Sequence, residues 1–168
     1  MTESDDIQQA SERVEIRQGG AGNVKATEVH ITQGGADTIE AEEVHITQGG
    51  AGRVKAGDLR VRQGGVGLAR ADRISVRMGA LGAALGRDIE VRQGFARFAA
   101  ARESVRFHQA GAMTVIANRA QLGSGSGVVF LFARRVEGEG RVLFDWRAGV
   151  AFGAALGVVT GLFRASGR

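Results

Sequence analysis

Apolar residues recur along the chain at two spacings, every second residue within a segment and every fifteen residues between segments. The first apolar column contains Val14, Val29, Val44, Leu59, Ile74 and Ile89 and continues at Val105 after one inserted residue. The second column contains Ile16, Ile31, Ile46, Val61, Val76, Val91 and Phe107. Alternation at period two with β-branched residues predicts strands.

Each repeat also contains a glycine turn. A Gly-Gly pair stands at 19–20, 34–35, 49–50 and 64–65, and the consensus of the repeats reads V-x-I-x-Q-G-G-A-G-x-V-x-A-x-x. Helical repeats would have to accommodate these glycines at about 1 kcal/mol each, which argues against them. A repeat this short cannot bury its own apolar face, so successive repeats must stack on one another.

These spacings predict an all-β fold, a single-stranded β-solenoid of about eight 15-residue coils. Fifteen residues divide into three sides of five, which favours a triangular cross-section, although a flattened two-sided coil also fits and the handedness stays open. We expect a polar N-terminal tail at 1–13, the solenoid at 14–134 and a charged connector at 135–147. A hydrophobic glycine-zipper helix is predicted at 148–164.

Composition and charge narrow the functional classes. The chain has no cysteine, which excludes disulfides, thiolate metal sites and a cysteine nucleophile. Its first residues are acidic and polar, without the basic start and apolar run of a secretory signal, so we expect a cytoplasmic protein. Charge is polarised: residues 1–58 carry five basic and eleven acidic side chains, whereas residues 59–168 carry seventeen basic and seven acidic ones.

A glutamine follows the second apolar column by two residues in most coils. This column contains Gln18, Gln33, Gln48, Gln63, Gln93 and Gln109. Alternation places it inside the solenoid, where stacked amides can hydrogen bond along the axis. We interpret it as an internal ladder that sets the register of the coils, in preference to a substrate-binding column.

Two further sets of residues are predicted on the outer surface of the solenoid. A basic stripe contains Arg17, Arg62, Arg77 and Arg92, and an exterior apolar patch contains Leu68, Leu85, Phe98, Ile116 and Leu131. The stripe can pair with an acidic surface or bind an anionic partner. An apolar patch confined to one half of a rod requires a cover.

Catalytic and metal sites are not predicted. His30 and His45 occupy equivalent positions in adjacent coils, but we identify no Cys, Asp or Glu column beside them that would complete a ligand set. No Ser-His-Asp set, carboxylate pair or cofactor loop is evident, and the coil length is not a multiple of the six residues on which acyltransferase solenoids are built. We therefore expect no enzyme activity, no cofactor and no metal.

The C-terminal segment AGVAFGAALGVVTGLF has no charge over sixteen residues. Its glycines recur every fourth residue and share one helix face, a pattern that favours close helix association in lipid: Gly149, Gly153, Gly157 and Gly161. Trp146 and Arg164 flank the segment as interfacial anchors would. A span of about 20 residues is usual for crossing a bilayer, so an alternative is a helix that caps the solenoid by lying on its apolar patch.

The stretch IEAEEVHITQGGAGRVKAGDLRVRQGG, with A-x-x-[VIL]-x-[VI] before a glycine corner, resembles the bactofilins. The resemblance covers about residues 14–118 and implies a right-handed triangular β-helix, nucleotide-free polymerisation end to end, membrane association and a scaffolding role. The Gln-Gly-Gly corner and the glycine-zipper tail depart from that family.

These observations together predict a non-enzymatic, self-assembling scaffold at the inner face of the cell membrane, attached through its C-terminal helix. Its expected partners are further copies of the chain and a membrane or membrane protein, rather than nucleic acid. The alternative is a soluble binding module that recognises an anionic partner through the Arg stripe and uses its C-terminal helix as a cap.

Overall fold

The computed structural model describes residues 11–145, which form a parallel all-β solenoid of about nine turns. Its strands are β1 Ser11–Ile16, β2 Gly20–Ile31, β3 Gly34–Glu40, β4 Glu43–Ile46, β5 Gly49–Arg92, β6 Gly94–His108, β7 Gly111–Leu122, β8 Gly127–Gly138 and β9 Arg141–Asp145. They form one sheet in the order β1-β2-β3-β5-β6-β7-β8-β9, and β4 pairs with β2 and β5. The predicted solenoid is confirmed, with about one coil more than expected.

Register follows the fifteen-residue repeat through the first half of the chain. Val29 pairs with both Val14 and Val44, and Ile31 pairs with Ile46. Strands one coil apart are therefore hydrogen-bonded directly over each other. The long strand β5 begins with the same fifteen-residue register, since Gly49 pairs with Gly34 of β3.

The core lies along the axis of the coils and consists of stacked columns of aliphatic side chains. Val29, Val44 and Leu59 of the first column are completely buried, and Ile31 and Ile46 of the second are each 1% exposed. A further buried column passes through Ile39 and Val54, which are also inaccessible to solvent. Each coil therefore buries apolar side chains that it could not bury alone.

Insertions change the coil length in the C-terminal half. Gly86 pairs with Ala101, but Asp88 pairs with Ser104, so one extra residue bulges out between these two pairs. A second residue is inserted at the turn that follows Leu122, because Phe107 pairs with Leu122 at a spacing of fifteen but Gly111 pairs with Gly127 at sixteen. Ile116 accordingly pairs with Phe132 at a spacing of sixteen. Side chains therefore stand one residue later than a strict fifteen-residue count predicts after the first insertion, and two residues later after the second.

The solenoid extends beyond the predicted limits of 14–134 at both ends. Strand β1 begins at Ser11, and β9 pairs with β8 through Val128–Val142 and Phe130–Phe144. Part of the predicted connector at 135–147 is therefore strand, because Val142 still packs against the core after the charged interruption. The glycine-zipper helix predicted at 148–164 lies outside the described residues, and residues 11–145 contain no helix.

Glycine at the corners is required by the stacking of the coils. Gly34, Gly49 and Gly64 have φ of +139°, +141° and +142°. A Cβ on any of them would lie within 2.0 Å of a carbonyl oxygen of the preceding coil. Further along the chain Gln93 and Gln109 themselves adopt positive φ, of 52° and 50°, and Ala110 can follow Gln109.

Candidate functional site

A cluster of acidic and histidine side chains lies on one outer face of the first coils. Glu28 and His30 lie on β2 and Glu43 and His45 lie on β4, each pair two residues apart on the same strand face. The register places Glu28 beside Glu43 and His30 beside His45. The sequence E-V-H-I, repeated after fifteen residues, is what assembles the cluster.

The two histidine rings stack on each other. Their centroids are 4.8 Å apart and their planes differ by 16°. Within each coil the ring contacts its own glutamate, with His30 Nε2 2.5 Å from Glu28 Oε1 and His45 Nε2 2.9 Å from Glu43 Oε1. The side chains are between 25% and 41% exposed, so the cluster is open to solvent and to ions.

An arginine flanks the cluster on each side. Arg13 donates to Glu28 Oε2 at 2.6 Å, and Arg60 donates to Glu43 Oε1 at the same distance. The Arg60 guanidinium also lies 3.4 Å from His45 Nε2. Hydrogen bonds from His30 and then Arg13 lower the pKa of Glu28, and the bond from His45, with the charge of Arg60, lowers the pKa of Glu43.

This arrangement corrects one premise of the sequence argument. The expectation was that no carboxylate column stands beside the histidines, whereas Glu28, His30 and His45 place their ligand atoms within 4.8 Å of one another. The signal was available as two Glu-x-His triplets one coil apart. It was missed because the residue two positions before each histidine was not considered as a ligand, although period-two geometry puts both on one face.

The basic stripe lies on the outer surface as predicted, but its members differ in their pairing. All four arginines are exposed. Arg17 bonds to Glu15, which lowers the pKa of Glu15 and raises that of Arg17, and Arg92 bonds to Glu90. Within the described part of the chain, Arg62 and Arg77 form no ion pair.

The exterior apolar patch is partly different from the one predicted. Leu131 is only 1% exposed and belongs to the core, so its assignment to the patch was wrong. The cause is the sixteen-residue coil, since the register partner of Ile116 is Phe132 and that of Leu131 is Val115. Ile116 is 44% exposed and Leu68, Leu85 and Phe98 are half-buried.

Other exposed apolar side chains occur from the middle of the solenoid to its C-terminal end, in more than one column. In the range 11–145, the large exposed hydrophobic residues are Met78, Phe95, Met113, Ile116, Phe130, Phe132, Val136 and Leu143. Ile116 and Phe132 line a shallow groove of about 580 Å³ with Arg102, Asn118 and Arg134. The first coils carry charged pairs and the last coils carry exposed apolar side chains.

The glutamine column forms a ladder on the outside of the solenoid. Gln33 donates to Gln48 and Gln48 donates to Gln63, both at 3.3 Å, and Gln93 bonds to Gln109 at the same distance. All six glutamines are exposed, so the predicted interior position was wrong. The chain turns at this point, which breaks the period-two alternation and leaves two adjacent residues, such as Thr47 and Gln48, both facing outward.

No family model, curated protein or solved structure matches this chain. Among residues 11–145, no helix has the length and hydropathy needed to cross a bilayer. The residues predicted for membrane attachment lie outside the described range: Trp146, Gly149, Gly153, Gly157, Gly161 and Arg164.

Proposed function

We propose that this chain is a non-enzymatic, bactofilin-like scaffold that assembles end to end and associates with a membrane through its C-terminal segment. In this proposal the coils are triangular in cross-section and residues 148–164 form the glycine-zipper helix. The observation that carries the proposal is the polarity of the solenoid. Its first coils are acidic and ion-paired, and its last coils are rich in arginine and in exposed apolar residues.

The ends of the described solenoid are suited to stacking. Val14 and Ile16 in the first coil are half-buried, whereas Val29 and Ile31 one coil later are at most 1% exposed. At the other end Val136, which continues the same column, is 45% exposed. A second copy stacked in register would cover these side chains and satisfy the open strand edges.

Charge supports the same direction of assembly. Residues 1–58 have a net charge of −6 and residues 59–168 have a net charge of +10. A head-to-tail contact brings opposite charges together, whereas head-to-head and tail-to-tail contacts bring like charges together. Salt screens such contacts over a Debye length of about 10 Å at 0.1 M, so assembly should weaken as salt is raised.

Assembly is tested by sedimentation and negative-stain electron microscopy of the full chain at low and moderate salt. Val136→Glu places a charge on the exposed end of the core column and should shift the chain toward monomers. Met78→Glu is the matched control, because Met78 is 48% exposed but lies in the middle of the solenoid. Monodisperse wild-type monomers at both salt concentrations, or equal effects of the two substitutions, would remove the assembly proposal.

Membrane association is supported by the uncharged C-terminal segment, together with the arginines and apolar residues of the last coils. Such arginines favour an anionic membrane surface. Flotation with vesicles that contain phosphatidylglycerol should carry the full chain to the top of the gradient. A chain that ends at Asp145 and the full-length variant Leu156→Arg should stay at the bottom. If the full chain also stays at the bottom, membrane association is rejected.

The second candidate function is recognition of an anionic partner by the Arg stripe. It is favoured by Arg62 and Arg77, which are exposed on successive coils and form no ion pair with any described residue. Binding of a soluble polyphosphate should then weaken with salt and with Arg77→Glu. Arg17→Glu is the control, because Arg17 is already paired with Glu15. Equal binding by wild type and Arg77→Glu would reject this function.

A further inference from the structure

The Glu28, His30 and His45 cluster offers three donor atoms at one place on the solenoid, one carboxylate oxygen and two imidazole nitrogens. All three lie within 4.8 Å of one another. Glu28 and His30 share a face of β2, and His45 is the register partner of His30 on β4. The hydrogen bonds of the sheet therefore hold the three backbones in place, and only side-chain rotation is left to complete a ligand set.

The rotation required is small. Zinc–nitrogen and zinc–oxygen bonds of about 2.0–2.2 Å place tetrahedral donors roughly 3.4 Å apart. Glu28 Oε1 and His30 Nε2 are 2.5 Å apart in their hydrogen bond, so they must separate by about 0.9 Å to share an ion. His45 must approach the other two ligand atoms by no more than about 1.4 Å, since all three lie within 4.8 Å of one another. Its side chain is 28% exposed and that of His30 is 38% exposed, so both rings have room to turn.

We propose that Glu28, His30 and His45 bind one divalent transition-metal ion, with the fourth position open to solvent. Imidazole nitrogen with a single carboxylate suits Zn²⁺, Cu²⁺ or Ni²⁺. Ca²⁺ and Mg²⁺ require sets of oxygen ligands, which this cluster does not supply.

The two flanking arginines have different effects on the ion. Arg13 holds Glu28 Oε2 at 2.6 Å and leaves Oε1 directed at His30, so it orients the ligand from outside the site. Arg60 lies 3.4 Å from His45 Nε2, and its charge opposes a cation bound there. Removing the Arg60 charge should therefore tighten binding of a divalent ion, by roughly fifteenfold at low salt for a unit charge about 5 Å away under water-like screening.

The test is calorimetric titration of the full chain with Zn²⁺. We expect one ion per chain and at least about tenfold weaker binding in Glu28→Gln and His45→Gln, since even outer ligand-shell partners change affinity by that factor. His108→Gln is the matched control, because His108 is the remaining histidine of the chain and stands in another column. Cu²⁺ paramagnetic resonance should show two coupled nitrogens in wild type and one in His45→Gln.

Arg60→Gln adds a test in which Zn²⁺ binding is expected to become tighter, so its result cannot be produced by misfolding. Tighter Zn²⁺ binding by this variant supports the site even if a histidine substitution disturbs folding, which circular dichroism would show. No wild-type binding heat above buffer, unchanged or weaker binding by Arg60→Gln, or an equal loss in His108→Gln would each overturn the proposal.

Discussion

A Cβ added to Gly49 would lie 1.8 Å from the carbonyl oxygen of Gly34 in the preceding coil. The two residues are register partners at the corner, and both have φ near +140°. The corner therefore brings successive backbones so close that no side chain fits between them. This contact explains why the first residue of the Gly-Gly pair recurs at the same position in each of the early coils.

Gly49→Ala should destabilise the solenoid by at least about 3 kcal/mol, because it combines a strained backbone with a backbone clash. Gly22→Ala is the matched control, since nothing lies within 4 Å of a Cβ there and its φ is not in the left-handed region. It should change stability by less than about 1 kcal/mol. Urea denaturation of both variants measures the difference, and similar midpoints would contradict the corner geometry.

Leu131 and Ile116 test the register of the last coils. Leu131 is 1% exposed and Ile116 is 44% exposed. Leu131→Ala should therefore lower the free energy of unfolding by about 2–5 kcal/mol, through lost burial and a cavity. Ile116→Ala should change it by less than about 1 kcal/mol. Thermal or urea unfolding measures both variants. Equal destabilisation by Leu131→Ala and Ile116→Ala would contradict the sixteen-residue spacing that places Leu131 in the core and Ile116 on the surface.

The glutamine ladder should contribute a small and specific amount to stability. Gln48 accepts from Gln33 and donates to Gln63. Gln48→Glu removes the donor and faces Gln63 Oε1 with another acceptor, so we expect a loss of up to about 1 kcal/mol. Gln48→Met keeps the length of the side chain without its polar groups and should show whether the bonds or the packing matter. Destabilisation equal to that of a core substitution would contradict the exposed position.

The Glu40 ion pairs predict a pH dependence of stability. Bonding and charge from Lys55, and then from Lys25, lower the pKa of Glu40 from its ordinary 4.5. A carboxyl with a lowered folded-state pKa stabilises the fold above its unfolded value, and this contribution is lost as pH falls through the folded value. The melting temperature should therefore be steady from pH 7 to 5 and fall below about pH 4.5.

Glu40→Gln should reduce the fall in melting temperature below about pH 4.5. The control is Asp37→Asn, because Asp37 lies in the same coil and forms no ion pair with any described residue. It should leave the fall in melting temperature at acid pH unchanged. Thermal unfolding from pH 7 to 3 measures both variants. A Glu40→Gln curve parallel to wild type would show that the pairs with Lys55 and Lys25 do not contribute to stability.

The repeat was readable from the sequence because a solenoid is nearly one-dimensional. Each coil contacts its neighbours, so the spacing of Val29 and Val44 is also their spatial register. The same reasoning located the glycine corners and the outward position of Arg62 and Arg77. It also placed both histidines at equivalent positions in adjacent coils, although their carboxylate neighbours were not recognised.

The sequence by itself determined the parallel stack of coils, since β-branched alternation, a glycine turn and a constant period leave little else that buries the apolar columns. Only the tertiary structure decided which way side chains point next to a corner or an insertion. A left-handed residue at the corner breaks the alternation and turns Gln48 outward, and one added residue moves Leu131 into the core. The proximity of Glu28 and His45 likewise depends on two strands that meet in register, which no single repeat contains.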